Sequence, residues 1–367
     1  MRIVSIQYLR GVAALMVVVF HLQPQLERMQ AGFTPPNWLA AGVDLFFVIS
    51  GYIMWWTTCG SKIGPGRFML KRIHRIVPLY WAITAFYVFI LLVAPRLMQS
   101  GALDPAHTIA SFFFIPWPHP VINANHPLVA PGWTLNYEMF FYVVFAFCLM
   151  LRDLRARLAA VSAALIGLAT AGVVFDPQGA QLAAYTSTLL IEFLFGIGVA
   201  VLVSRGITLP APAALAAIGI GAAAWILSDG LNTQATRFFW WGLPAMAIVY
   251  GAVSWERRRK SPAWPLLLLF GDASYSIYIS HQLSLSAAGQ AWRKAAAGLP
   301  PLAMHLGFVV FGTLVAVVGG LLCYVLVERP LGRLTGRLLP GRGGPPPTVA
   351  AGEPQAAPKP RLSQPLS

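Results

Sequence analysis

Arg10 and His21 stand eleven residues apart in one apolar run near the start of the chain. On an α-helix eleven steps of ~100° make three turns plus ~20°, so both side chains share a face, ~16 Å apart along the axis. Histidine is the usual base where a hydroxyl must lose a proton near neutral pH, and a carboxylate on its other ring nitrogen fixes the tautomer. Glu138 closes the run Trp133-Thr134-Leu135-Asn136-Tyr137-Glu138 at the depth expected for His21, and Asp44 is a second acidic candidate. Each also has a structural reading. Arg10 could snorkel to headgroups, His21 could bond a loop carbonyl, Glu138 could sit in a packing ion pair, and Asp44 could cap or pair beside small residues.

Three further groupings carry polar chemistry. Asp44 and Gly51, seven apart, share a helical face with Ser50 beside them, a carboxylate followed by a site of close backbone approach. Tyr278 and His281 follow Ser274 at steps of four and seven, a polar stripe that must face the protein interior or a wet cavity. Arg67, Lys71, Arg72 and Arg75 cluster in a stretch read as a loop before a span. Arg72 and Arg75, three apart, present two guanidinium forks suited to a phosphate-rich ligand, whereas membrane anchoring explains a basic cluster without one. Glu192, Asp272 and His305 read as structural, with no partner predicted. Cys59, Cys148 and Cys323 lack ligand spacing, so neither a disulfide framework nor a zinc site is indicated.

The elements that must hold these residues follow from composition. Of the 367 residues 57% are hydrophobic and only 10% charged, which excludes an ordinary soluble domain and a disordered protein. Apolar runs cut at Pro, Gly and charge clusters predict an all-α, polytopic transmembrane bundle of about ten spans. They lie at 5–23, 39–57, 76–94, 132–151, 156–175, 182–203, 209–228, 238–254, 265–287 and 303–327. No small-x-small cleavage pattern follows the first run, which reads as a retained helix rather than a signal peptide. The outer connection 95–131 contains an apolar piece, 111–117, too short to span.

The net charge of +14 alone could suggest a nucleic-acid binder, but its distribution argues for topology instead. With the N-terminus inside, 20 of the 26 Lys and Arg residues fall on one side, five on the other, and Arg10 within a span. Cytoplasmic loops carry such an excess, so both termini are expected in the cytoplasm, with membrane lipid and not nucleic acid as the surroundings. Residues 1–335 form the expected membrane domain, and 336–367, rich in Pro, Gly and Ala, a disordered cytoplasmic tail.

At these residues the chain resembles the acyltransferase-3 family of bacterial integral-membrane O-acyltransferases, particularly its exopolysaccharide-acetylating branch. The resemblance rests on Arg10 and His21, on Asp44-Leu45-Phe46-Phe47-Val48-Ile49-Ser50-Gly51, and on Arg72 and Arg75 followed by Pro78 and Tyr80. It continues through Trp133 to Glu138, Ser274-Tyr275-Ser276-Ile277-Tyr278 with His281, and Glu328-Arg329-Pro330. It implies a multi-pass protein of the bacterial inner membrane that moves an acyl group, expected to be acetyl, from cytoplasmic acyl-CoA to a hydroxyl of a polysaccharide or lipid-linked glycan. It further implies His21 as catalytic base, and Arg10, Arg72 and Arg75 as donor-binding or structural arginines, with Arg67 and Lys71 close by. Glu138 or Asp44 would orient His21, and Ser50, Trp133, Tyr278 and His281 would contact substrate. No metal is expected. The 40 residues after the last span leave no room for the hydrolase-like domain many members append, so the membrane domain is expected to complete the transfer. A glycan or lipid-linked-sugar transporter is the alternative that ten spans and buried charges also allow.

Overall fold

The computed structural model describes residues 3–95, 101–259 and 261–336. The expected tail lies outside the described residues except for Gly336. Fourteen α-helices follow in order: α1 (Val4–Phe20), α2 (Gln23–Arg28), α3 (Gly42–Thr58), α4 (Pro65–Val93), α5 (Pro105–Phe112), α6 (Trp133–Cys148) and α7 (Leu154–Phe175). Then come α8 (Ala180–Tyr185), α9 (Leu190–Ser204), α10 (Ala211–Leu227), α11 (Leu243–Arg258), α12 (Pro265–Ala295), α13 (Pro301–Cys323) and α14 (Arg329–Gly336). No strand occurs among the described residues.

A helix stands at each of the ten expected spans, yet length and composition support seven crossings among the described residues. These are Val4–Arg28, Asn37–Thr58, Pro65–Val93, Leu154–Phe175, Ala180–Ser204, Phe238–Arg258 and Pro301–Gly336. At 16 and 17 residues, α6 and α10 fall short of the ~20 a hydrocarbon core requires. With 31 residues α12 is long enough, but its polar stripe dilutes its apolar character. Leu92, Phe147, Phe175, Ile220 and Leu227 are each more than two-thirds exposed, the apolar exterior of a protein whose solvent is lipid.

The stretch carrying Arg67 to Arg75 is not a loop, as the sequence had suggested. Gly64 and Pro65 start α4 eleven residues before the expected boundary, because proline at the first helical position lacks only an N–H that would be orphaned anyway. Pro78 then interrupts the ladder without ending the helix. The apolar piece at 111–117 starts in the last turn of α5 and runs on beyond it; Asp104 caps that helix by accepting from the His107 N–H at 2.7 Å. Trp81 of α4 donates to the Phe112 carbonyl at 2.8 Å and fastens that short helix to the bundle.

Helix α1 lies against both α12 and α3, and α12 packs in turn against α13. Helix α3 packs along α9, α10 pairs with α11, and α6 touches both α4 and α7. The first backbone N–H groups of α1 have no partner within the helix. Glu256, near the end of α11, accepts from Val4 N and Ser5 N at 2.8 Å each and from Ser5 Oγ at 2.5 Å, which anchors the helix that carries Arg10 and His21.

The α3–α9 crossing depends on Gly51 and Gly196. A Cβ on Gly51 would run into the Phe193 backbone, and one on Gly196 into the backbone of Val48 and Tyr52. Gly198, two residues on, faces open space. Gly196→Val is therefore expected to cost about 1–3 kcal/mol by overpacking and to lower the thermal-unfolding midpoint in detergent, while Gly198→Val leaves the midpoint unchanged. Equal midpoints for the two variants would remove the crossing from its structural role.

Candidate active site

Two cavities share a wall in the bundle. The smaller, about 140 Å³, is lined by Arg10, Arg72, Arg75, Ser50, Glu138, Tyr142 and Tyr275 among others. The larger, about 1100 Å³, is lined by His21, His126, Trp133, Asn136, Arg237 and Trp241 among others. Val43 and Tyr278 line both, so they form the partition. The first turns of α6 divide the same way: Thr134, Leu135 and Glu138 face the arginine chamber, and Trp133, Asn136 and Tyr137 the histidine chamber. Tyr278 is held in the wall by donating to the Pro131 carbonyl at 3.1 Å and by a hydrogen bond with Thr134 Oγ1 at 3.0 Å.

In the arginine chamber the two forks of α4 do not act alike. Arg75 donates to Glu328 at 2.5 Å, and that carboxylate also accepts from Ser276 Oγ at 2.5 Å. Arg75 lies half exposed at one edge. Arg72 covers the Phe68 ring at 5.7 Å, and its buried Nε has no partner among the described residues. Arg67 and Lys71 are exposed and line neither chamber. Glu138 accepts from Tyr142, four residues on along α6, and from Ser50 Oγ at 3.1 Å. Ser50 is thus committed to Glu138. With Arg75 paired to Glu328, Arg10 and Arg72 still outnumber Glu138 in the lining, which suits an anion or a developing oxyanion.

His21 follows the last residue of α1, and its Nδ1 lies 2.8 Å from the Val17 carbonyl. A carbonyl only accepts, so Nδ1 carries the proton and the Nε2 lone pair is left free, with no hydrogen bond among the described residues. That backbone carbonyl does the work expected of a carboxylate. Glu138 faces the other chamber, and Asp44 is occupied elsewhere. Both expected orienting partners of His21 are therefore replaced, because a terminal α1 histidine reaches its own helix more easily than α3 or α6. His126 stacks on Trp133, with ring centroids 6.4 Å apart and planes 19° apart. Burial lowers the His126 pKa below the ordinary histidine value, so at neutral pH it meets the chamber as an uncharged ring.

Asp44 is fully buried and receives Arg237 as a fork, with Nε at 2.9 Å from one oxygen and Nη2 at 2.7 Å from the other. Arg237 also donates to the Ala40 carbonyl at 3.2 Å and covers Trp241 at 4.8 Å. Glu192 is fully buried against Gly242, close to this pair. His305 bonds the Met29 carbonyl at 3.0 Å, a structural tie. His281 lines neither chamber; its Nδ1 contacts the Tyr278 carbonyl at 2.5 Å, so it cannot donate from there to a substrate. Sequence reasoning gave no site role to Arg237, Tyr275 or His126. Tyr142 was within reach of it, since an i, i+4 partner for Glu138 is readable from spacing.

Apolar helices around one arginine-lined and one histidine-bearing chamber form a multi-pass membrane protein. Residues 3–326 match the acyltransferase-3 family, whose description is an acyltransferase domain, and the chain belongs to that family. It is an O-acyltransferase of the membrane. An exopolysaccharide production protein, ExoZ, of Rhizobium meliloti is 37% identical over 294 residues, 80% of this chain and 89% of that protein. The acyltransferase MdmB of Streptomyces mycarofaciens is 25% identical over 388 residues, covering 95% and 96% of the two chains. A putative membrane-bound transacylase, BcsY, of Komagataeibacter xylinus is 28% identical over 345 residues, 89% and 82%. No solved structure matches the chain.

Removing one partner of a buried ion pair leaves the other charge uncompensated, at about 3–5 kcal/mol. Asp44→Asn or Arg237→Met alone is expected to cost that much in detergent unfolding, and the double variant less than the sum of the two. Strict additivity would mean that the pair does not hold α3 to the segment before α11.

Proposed function

We propose that the protein transfers an acetyl group from cytoplasmic acetyl-CoA, entering at the arginine end, to a sugar hydroxyl of an exopolysaccharide at the histidine end. The observation that carries this reading is the meeting of the two chambers at a single wall, Val43 and Tyr278, with cationic groups on one side and a histidine with a free Nε2 on the other. The printed name of the 37% identical relative supports a polysaccharide acceptor. On this reading both termini face the cytoplasm of a bacterial inner membrane.

A chamber of about 140 Å³ lies below the ~300–1,000 Å³ of ordinary small-molecule pockets, so it suits the narrow thioester arm and not the nucleotide. Arg72 and Arg75 stand where the phosphates of the donor would remain, and Arg10 lies further in on α1. The acceptor hydroxyl enters the larger chamber, where the ring of Trp133 and the amide of Asn136 suit a sugar face and its hydroxyls. The Nε2 atom of His21 takes the hydroxyl proton as the oxygen attacks the thioester carbonyl. The tetrahedral intermediate then expels the thiolate of coenzyme A, which recovers the proton from His21. Tyr278, turned from the Pro131 carbonyl, supplies a hydroxyl within the wall itself that could stabilise the oxyanion.

Two experiments test this reading. His21→Ala is expected to lower acetylation of cell-surface glycan by about 10²–10⁴-fold, the range for loss of a positioned base, at unchanged membrane protein levels. Normal acetylation would return His21 to a structural role. Arg72→Ala combined with Arg75→Ala should weaken acetyl-CoA binding to the purified protein, and unchanged affinity would leave those arginines as membrane anchors only.

A further inference from the structure

Glu328 is a buried carboxylate that lines neither chamber, and the proposed reaction gives it no task. It ends the π-helical turn Tyr324–Glu328, which packs against α4 and α12. There its Oε1 accepts from Arg75 Nη1 and its Oε2 from Ser276 Oγ, at 2.5 Å each. Both oxygens are thus engaged by the protein itself. Arg75 is the opposite case. It lines the small chamber, is half exposed, and makes no other hydrogen bond among the described residues, so its Nε and Nη2 are left to a ligand. Its guanidinium also covers the Tyr275 ring at 5.8 Å, and Tyr275 is itself held by donating to the Ile76 carbonyl at 2.9 Å. One nitrogen of the fork and one of its faces are therefore fixed, and one edge is free.

A carboxylate beside an anion-binding arginine has two opposed effects. Its charge repels a phosphate, and its hydrogen bond holds the fork in one orientation before the phosphate arrives. Glu328 does not release its arginine cheaply, because it would then be left buried with a serine hydroxyl alone. Arg75 therefore stays tethered while its free edge binds. We infer that Glu328 is a positioning residue for the donor: it fixes Arg75 by Nη1 so that Nε and Nη2 meet a phosphate oxygen of acyl-CoA, and Ser276 fixes Glu328 in turn. This rests on the reading of Arg72 and Arg75 as the phosphate site. Because Glu328 lies outside the chamber lining, it acts only through Arg75. The π-turn that ends on Glu328 and the serine on α12 are then parts of the donor site, although neither reaches the donor.

Aspartate and glutamine separate position from charge. Aspartate keeps the charge but falls one methylene short of Nη1. Glutamine keeps the reach, with its oxygen for Arg75 and its N–H for Ser276 Oγ, which can accept as well as donate. The measurement is acetyl-CoA binding to the purified full-length protein in detergent, taken per folded protein. Presetting one rotamer-rich side chain is worth about 2- to 13-fold in affinity. Glu328→Asp is therefore expected to raise the Kd about 3- to 10-fold and Glu328→Gln to leave it within twofold of the unaltered protein. In an Arg75→Ala background Glu328→Asp is expected to add nothing. Should the aspartate variant not fold, Glu328→Met supplies the untethered arm. An aspartate variant that binds as well as the unaltered protein would overturn the proposal, as would a glutamine variant that is unfolded or as weak as aspartate, a tighter Kd in either, or an aspartate effect that persists without Arg75. Arg75→Ala alone and combined with Arg72→Ala are run alongside. If the combination leaves the Kd unchanged, the donor-site reading itself fails; if the combination weakens binding while Arg75→Ala does not, or while aspartate and glutamine are alike, only the role of Glu328 fails.

Discussion

The Asp44–Arg237 pair joins two segments nearly two hundred residues apart and is closed off from solvent at the aspartate end. In an apolar bundle a lone charge costs several kcal/mol, so a buried carboxylate requires a partner that can reach it with good geometry. Arg237 meets that requirement bidentately and spends a third bond on the Ala40 carbonyl. The same constraint recurs at the other end of the molecule, where Arg75, Glu328 and Ser276 tie α4, α12 and the segment before α14 together. Glu256 applies it a third time, using a carboxylate to satisfy the start of α1. These ties fix the two helices, α1 and α12, from which the chambers take His21, Arg10 and Tyr278.

Both ion pairs abut a π-helical turn. Phe238–Gly242 follows Arg237 directly, and Tyr324–Glu328 ends on Glu328 itself. A π-turn adds a residue to the helical ladder and rotates everything beyond it, which re-aims a side chain that a regular helix would direct elsewhere. In the first case the turn also brings Gly242 under Glu192, where a Cβ would stand 2.9 Å from the Glu192 Cγ. Glycine there is the condition for packing a carboxyl beside an occupied ion pair. What the helices forgo in regularity they recover in partnered charge.

The sequence was most informative where one element supplies the whole signal. The eleven-residue spacing of Arg10 and His21, the stripe from Ser274 to His281 and the close approach at Gly51 each depend on one helix, and each side chain lies on the expected interior side. It was less informative where two distant segments had to meet. Nothing in the neighbourhood of Arg237 distinguishes it from an anchoring cation until α3 is laid beside it. Nothing near Glu138 says that α6 turns it away from His21 by one helical step. The start of α4 was misplaced for a different reason: a basic, polar first half hid a helix that Pro65 begins, because apolar periodicity is a weak guide where a helix leaves the hydrocarbon.

The unequal volumes of the chambers bear on how one protein can use a donor and an acceptor of very different size. Water in a thioester-binding site competes with the acceptor hydroxyl, and excluding it also strengthens the electrostatic interactions that stabilise an oxyanion. A chamber of about 140 Å³ leaves little room for bulk water around a bound thioester, whereas one of about 1100 Å³ must admit it with a polymer. The wall between them is thin, one valine and one tyrosine whose hydroxyl is tethered by two hydrogen bonds. On the proposed reading that wall separates the reactive carbonyl from a wet chamber until a sugar hydroxyl displaces the water there. The position of Tyr278, tethered to the Pro131 carbonyl and to Thr134, then makes access to the carbonyl depend on one short stretch of α12.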